Sequence, residues 1–284
     1  MKVVVIGSGG QLGHDLMSVY SDAIGLTHSD LEVTDFKSVE AALKPIQPDI
    51  VINTAAFHKT DDCEMDPLKT FSVNAVGAWN VSKASYHLGA RIAYISTDYV
   101  FDGLKGSPYT EDDAVNPVNV YGASKVAGER MTALGNSKHY LIRCSGLYGQ
   151  KTSGKGHNFP DLMIRLGRER RELKVVTDEV LAPTYTKDLA EKMKQVFSHE
   201  AYGLYHIANS GGCSWFEFAR QVIDYMRMDV RVVAAGPGEF PKKARRPPYS
   251  VLDCKRLRDS GFGAMRDWRS ALKDYLKEKY GGAA

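Results

Sequence analysis

Apolar and polar positions follow two rhythms along this chain, and the alternation between them outlines the fold. Residues 3–6 are apolar at every position, as suits a strand buried on both faces of a parallel sheet. Similar runs return at 23–27, 49–56, 91–97 and 140–145. Between them, 36–44, 67–88 and 119–134 read as helices. Strands alternating with helices at these intervals predict βαβ units, hence an α/β fold with a doubly wound, Rossmann-like parallel sheet.

After about residue 145 the rhythm loosens. A polar, glycine-rich loop at 148–159 leads into a basic helix at 160–172. Two further strands are expected at 173–178 and 203–208, with a helix at 186–198 between them. An amphipathic helix begins near Ser214, 237–250 is a proline-rich basic loop, and a last helix covers about 266–279. The pattern divides the chain into a dinucleotide-binding domain at 1–150, to which 173–208 returns, and a second lobe. That lobe, 151–172 with 209–284, is smaller and mainly helical, and is expected to bind substrate at the carboxyl edge of the sheet.

Composition narrows the function classes. With 284 residues, 43% hydrophobic and 25% charged, the chain has the make-up of an ordinary globular protein. A net charge of +3 argues against a nucleic-acid partner and leaves room for a local basic pocket. Cys63, Cys144, Cys213 and Cys254 are scattered without C-x-x-C or metal spacing, which predicts reduced thiols in the cytoplasm and no metal site. No stretch approaches twenty apolar residues, and the N-terminal run is too short for a signal segment, so no membrane partner is expected.

The candidate chemistry sits where strands give way to helices. Gly7, Gly10 and Gly13 fall between the first strand and the first helix, where glycines let a backbone approach a pyrophosphate at a helix N-terminus. An accidental glycine-rich turn would read the same. Asp35 could hold an adenine amino group, cap a helix, or do both. The small residues at 52–56 leave room for a ribose or simply pack a strand end, and "STDYVFDG" at 96–103 places two hydroxyls and a carboxylate at the same sheet edge. Tyr121 and Lys125 lie one helical turn apart among small residues, a pairing that also occurs on plain solvated faces.

Taken together, "GxxGQLG" at 7–13, "VTDF" at 33–36, "STDYVFDG" at 96–103 and "PxNVYGASKxxGE" at 117–129 resemble the extended short-chain dehydrogenase/reductase superfamily. With "GHNF" at 156–159, "APTYTKDLA" at 182–190, "GLYHIANSG" at 203–211 and "ARRPPYSVLD" at 244–253, nearly the whole chain resembles the dTDP-4-dehydrorhamnose reductase family. The resemblance implies reduction of the 4-keto group of dTDP-4-dehydro-L-rhamnose to dTDP-L-rhamnose with NADPH, or NADH, by a monomer or homodimer. It implies Tyr121 as the acid, Lys125 as its partner and Thr97 as the third catalytic group. Gly7, Gly10, Gln11, Leu12 and Gly13 would face the pyrophosphate. Asp35 and Phe36 would surround the adenine, with Ala55, Ala56, Phe57 and His58 along the cofactor. Asp98, Asn158 and Arg246 would join Thr97 and Tyr121 on the nucleotide sugar; the loop holding Arg245 and Arg246 reads equally as a solvated one. Two alternatives stay open: another sugar-nucleotide reductase or epimerase, and a non-catalytic NADP-binding regulatory subunit like that of methionine adenosyltransferase.

The chemistry suits these residue types. Hydride addition to a ketone leaves an alkoxide that needs a proton. A free phenol titrates near about 10, and a neighbouring ammonium is expected to bring Tyr121 down. Two departures from the family stand out. After the second strand the chain has Thr27, His28 and Ser29 before Asp30 rather than an acidic residue at the strand end, which favours NADPH. Where the family often reads "RTSW", this chain has "RCSG", with Gly146 in place of tryptophan. Leu147 or Tyr148 is expected to fill that space, and an indole at 146 to tighten sugar binding.

Overall fold

The computed structural model describes residues 1–152, 156–236 and 238–281. Six parallel strands form the central sheet: β1 (Val3–Ile6), β2 (Ile24–Leu26), β3 (Ile50–Asn53), β4 (Arg91–Thr97), β5 (His139–Cys144) and β6 (Gly203–His206). Their order is β6-β5-β4-β3-β1-β2. The winding reverses between β1 and β3, and in open α/β sheets a ligand crevice opens at that point, beyond the carboxyl ends of the strands.

Each face of the sheet owns a core. Helices α1 (Gln11–Val19) and α6 (Thr186–Phe197) cover one face through Leu12, Leu16, Leu189 and Met193. On the other, α2 (Phe36–Leu43) and α3 (Gly77–His87) bury Val39, Leu43, Val81 and Ala84 against Val4, Ile6, Val51 and Ile92. Helix α4 (Val120–Gly135) packs beside α3, where Ser82 Oγ donates to the Thr132 carbonyl. Strands apolar at all positions are what this two-sided burial demands.

The lobe has its own apolar core. Helices α5 (Phe159–Glu169), α7 (Trp215–Tyr225) and α8 (Trp268–Tyr280) enclose Met163, Phe218, Val222, Trp268 and Tyr275. Two expectations need correction here. Within 209–284, Val251, Leu252, Leu257 and Phe262 pack into the sheet core rather than the lobe core. The strand Glu172–Val175 does not return to the central sheet; it pairs in parallel with Arg231–Ala234 and buries Leu173 and Val175 in the lobe core. The return begins at Thr184–Tyr185, which pairs with Leu147–Tyr148 and runs into α6.

The segment at 67–88 also differs from a single helix. Pro67–Phe71 and α3 are separated by a π-helical turn at Ser72–Val76. Residues 153–155 of the polar loop and 237 of the basic loop lie outside the described residues. Among the described residues no helix is long and apolar enough to cross a membrane.

Candidate active site

The glycine turn is built by contact rather than by flexibility alone. Gly7 has a φ of +83°, and a Cβ at Gly13 would stand 2.3 Å from the Gly7 carbonyl oxygen. Glycine at 13 therefore lets α1 begin directly above β1. Gly10 is the N-cap of α1 and offers no side chain to the first turn, so no side chain caps the N–H groups there. Beside them Gln11 Nε2 is buried without a hydrogen-bond partner. Free amide donors at a helix N-terminus fit a pyrophosphate.

The tyrosine helix is held equally close. Asn119 caps α4 by accepting from Gly122 N at 2.8 Å, a bond worth about 1 kcal/mol. A Cβ at Gly122 would lie 2.1 Å from the Tyr99 carbonyl, and one at Gly128 would lie 2.1 Å from the Tyr94 hydroxyl. The small residues around Tyr121 and Lys125 thus seat the helix against the end of β4. Asn74, in the π-helical turn, ties three elements together. Its Nδ2 donates to Phe57 O and to Ser124 Oγ, its Oδ1 accepts from Phe57 N, and its carbonyl accepts from Tyr94 Oη at 2.8 Å. Below, Glu129 takes two bonds from Arg143, each 2.8 Å, and one from Ser96 Oγ. Removing one partner of such a buried pair costs about 3–5 kcal/mol.

Tyr121, Lys125, Thr97 and Asp98 line one cleft of about 490 Å³ with Gly10, Gln11, Leu12, Gly13, Ala56 and His58. Asp98 is buried and accepts from Thr97 Oγ1 at 3.0 Å, Ser145 Oγ at 2.7 Å and Ser250 Oγ at 2.5 Å. Burial raises its pKa, and the three hydroxyls oppose that shift. Lys125 is also buried, and its Nζ lies 4.0 Å from the centroid of the Tyr94 ring. Loss of hydration pushes the Lys125 pKa down to about 7.

The expected lowering of the phenol does not occur in this state. The surrounding protein mass raises the Tyr121 pKa well above its ordinary value, and the hydrogen bond with Thr97 only partly opposes it. The reason is burial of the phenol itself, which disfavours the phenolate, and the nearby Cys144, Asp98 and Cys63 add to it.

The remaining candidates divide. Asn158 borders the cleft, yet its amide is committed to the lobe: Nδ2 donates to Gly149 O and Tyr275 Oη, while Oδ1 accepts from Asp161 N. Arg246 is not among the lining residues; it donates to Asp61 Oδ1 and Ala244 O, while its neighbour Pro247 faces the cleft. Asp35 caps α2 through Lys37 N, and Phe36 packs edge-on to His87. Ala55 packs against the sheet core, and Phe57 is held through its backbone by Asn74. None of these last four lines the cleft.

The space expected for Leu147 or Tyr148 is taken otherwise. Tyr148 stacks on Tyr185 in the lobe core, 5.7 Å between centroids, and Leu147 packs against the sheet core while bordering the cleft. Leu181 stands over Gly146 instead. Gly146 has a φ of +54°, so an indole there meets both an unfavourable backbone and an occupied volume.

Sequence reasoning missed the far wall altogether. Phe159, Leu162, Glu179, Leu181 and Trp215 line it, and the Trp215 indole donates to Glu179 Oε2 at 3.1 Å. The other oxygen of Glu179 binds Lys242. Trp215 reads in sequence as one more apolar residue of an amphipathic helix, and only its place at the first turn hints at another use.

Residues 1–280 match the family described as the RmlD substrate binding domain. The spore coat polysaccharide biosynthesis protein SpsK of Bacillus subtilis strain 168 is 40% identical, over 98% of each chain. A dTDP-4-dehydrorhamnose reductase of Mycolicibacterium smegmatis is 35% identical over 96% of this chain and 84% of the relative. Among solved structures, the dTDP-4-dehydrorhamnose reductase of Bacillus anthracis in complex with NADP superposes with a TM-score of 0.94. It is 38% identical, over 98% of this chain and 100% of that one.

Proposed function

This chain belongs to the RmlD family, and from that membership we propose that it reduces the 4-keto group of dTDP-4-dehydro-L-rhamnose to give dTDP-L-rhamnose. The observation that carries the reading is convergence: Thr97, Tyr121 and Lys125 share one cleft with the glycine turn at the point where the sheet reverses. The bare N-terminus of α1, the unpartnered Gln11 Nε2 and the close-packed Gly7 and Gly13 fit a dinucleotide. When bound, NADPH supplies the hydride.

The chain's own residues supply the proton and the electrostatics. Burial keeps the Tyr121 phenol protonated at neutral pH, so it stands ready to donate to the oxygen that becomes negative. The phenolate left behind is stabilised by the Thr97 hydroxyl, once its single proton turns from Asp98 to Tyr121, and by a proton on Lys125, whose pKa of about 7 lets it gain that proton near neutrality. Asp98 accepts from Thr97, Ser145 and Ser250 and so orients all three hydroxyls, of which Thr97 and Ser250 line the cleft. The lobe would hold the nucleotide sugar, and the enzyme would work in the cytoplasm as a monomer or homodimer. Four buried cysteines held as thiols suit that reducing compartment.

The test is NADPH oxidation against a panel of dTDP- and UDP-linked 4-keto sugars. Turnover fastest with the dTDP-4-keto-6-deoxy sugar supports the reading. Tight NADPH binding with no oxidation of any of them overturns it in favour of a regulatory protein.

A further inference from the structure

Gly146 and Leu181 compete for one volume. A Cβ at Gly146 would stand 2.5 Å from Leu181 Cδ1, closer than real Cβ contacts come, so the leucine keeps its present position because position 146 has no side chain. Leu181 ends the short strand Val180–Leu181, which pairs antiparallel with Cys213–Ser214. The strand is held further by Val180 N donating to Pro248 O and Ser250 N donating to Val180 O. Its position is therefore fixed from two sides. Leu181 is buried and lines the cleft with Thr97, Tyr121 and Gly146. Among the described residues it belongs to neither the sheet core nor the lobe core. Only 5% of its surface is exposed, so what it offers the cleft is a narrow apolar edge.

We propose that Leu181 is a specificity-determining residue of the reductase. Its isobutyl group forms the apolar wall that seats the C–H-rich face of a deoxy keto sugar, in space that Gly146 keeps open. The proposal rests on the reductase reading and adds to it which side chain reads the sugar. A flexible aliphatic wall makes its contact by dispersion and water exclusion, without the flat, rigid platform of an indole. Sugars that bring a hydroxymethyl group to this wall would strand a hydroxyl against it.

A double-mutant cycle on the full-length enzyme with Leu181→Ala, Gly146→Ala and the pair tests the proposal. Leu181→Ala is expected to raise KM for the dTDP-4-keto-6-deoxy sugar on the order of tenfold, the usual scale for lost methylene contacts in a pocket. The kcat should stay within about threefold and the NADPH Kd within about twofold, because the hydride and proton donors are untouched. Gly146→Ala should lower kcat/KM and Tm in the wild-type background. In the Leu181→Ala background it should cost at least about fivefold less in kcat/KM, because the leucine it would strike is gone. The backbone strain of an alanine at 146 is present in both backgrounds and cancels from the cycle. An unchanged KM in Leu181→Ala, or equal costs of Gly146→Ala in both backgrounds, overturns the proposal. If Gly146→Ala does not fold, the KM of Leu181→Ala decides alone. A wild type that binds NADPH but reduces no keto sugar defeats the reductase reading and the sugar-reading role with it. In that case the melting temperatures of the four proteins still separate a true steric couple from independent sites.

Discussion

The two walls of the cleft are made in opposite ways. The sheet wall is polar and drawn from strand ends and one helix: Thr97, Asp98, Tyr121 and Lys125. Each is fixed by near neighbours, through the Asn119 cap, the glycine contacts of α4 and the hydroxyls on Asp98. The lobe wall is largely apolar, and it gathers Phe159, Leu181 and Trp215 from segments far apart in the chain. Its one carboxylate, Glu179, is shared between an indole and a lysine. The difference separates two tasks. Chemistry demands fixed donors at one point, whereas choice of sugar demands a shape that can be altered without disturbing them.

Tyr121→Phe should break the sheet wall most severely. Loss of the general acid is expected to lower kcat by about a thousandfold, within the range of about 10²–10⁴ usual for such groups. Stopped-flow and equilibrium titration should show NADPH affinity within about twofold of wild type. A kcat within a few-fold of wild type removes the phenol from the mechanism.

Lys125→Met should come next, with kcat lower by about a hundredfold, the scale of one lost electrostatic donor. It has a second signature in the protein without cofactor. The Lys125 pKa, pushed down to about 7 from 10.5, lies below its unfolded value. Between those pH values the unfolded chain holds more protons, so the stability that Lys125 controls rises as pH climbs from 7 toward 10. Denaturant unfolding at pH 7, 8.5 and 10 should show that rise in the wild type and a flatter profile in Lys125→Met. Equal profiles would mean that the lysine stays charged throughout.

On the lobe wall the effects should be smaller and of another kind. Trp215→Phe deletes the donor to Glu179 while keeping a ring, and should raise KM for the sugar nucleotide roughly fivefold with kcat nearly unchanged. A fall in kcat as large as the rise in KM would erase the division between the walls.

Cofactor choice should show the weakest effect. Asp30 is exposed and accepts from both Thr27 N and Thr27 Oγ1 at 2.7 Å, so its carboxylate closes a turn after β2. With neutral hydroxyls at 27 and 29, kcat/KM should favour NADPH over NADH by roughly fivefold. Asp30→Asn should widen that ratio if the carboxylate repels the 2′-phosphate, and parity in the wild type would show that it binds the ribose instead.

The contrast also explains what could be read from the sequence. β1, the glycine turn and the Tyr121–Lys125 spacing are local patterns, and local patterns survive in one dimension. The strand Arg231–Ala234 is short, and its partner Glu172–Val175 lies in a distant segment, so no periodicity announced it. The break in 67–88 was hidden because a π-helical turn keeps helical spacing while inserting one residue. Asn74, within that turn, bonds to Phe57 and Tyr94. Leu181 was invisible for a different reason. Its meaning depends on the absence of a side chain at Gly146, which lies in the bend between β5 and Leu147–Tyr148, far away in sequence. The phenol was misjudged because its own burial, which outweighs its neighbours, is a property of the assembled site.

The Asn74 junction carries a mechanical consequence. One amide and one carbonyl bolt the loop at Phe57, the strand at Tyr94 and the helix at Ser124 into a single block. Such a block cannot flex to grip a ligand without losing several bonds at once. Any closing stroke during turnover is therefore expected from the lobe, against a stationary anvil. Hydrogen exchange should read that division of labour directly: slow, cofactor-independent amides around Asn74, and ligand-dependent protection confined to the opposite jaw.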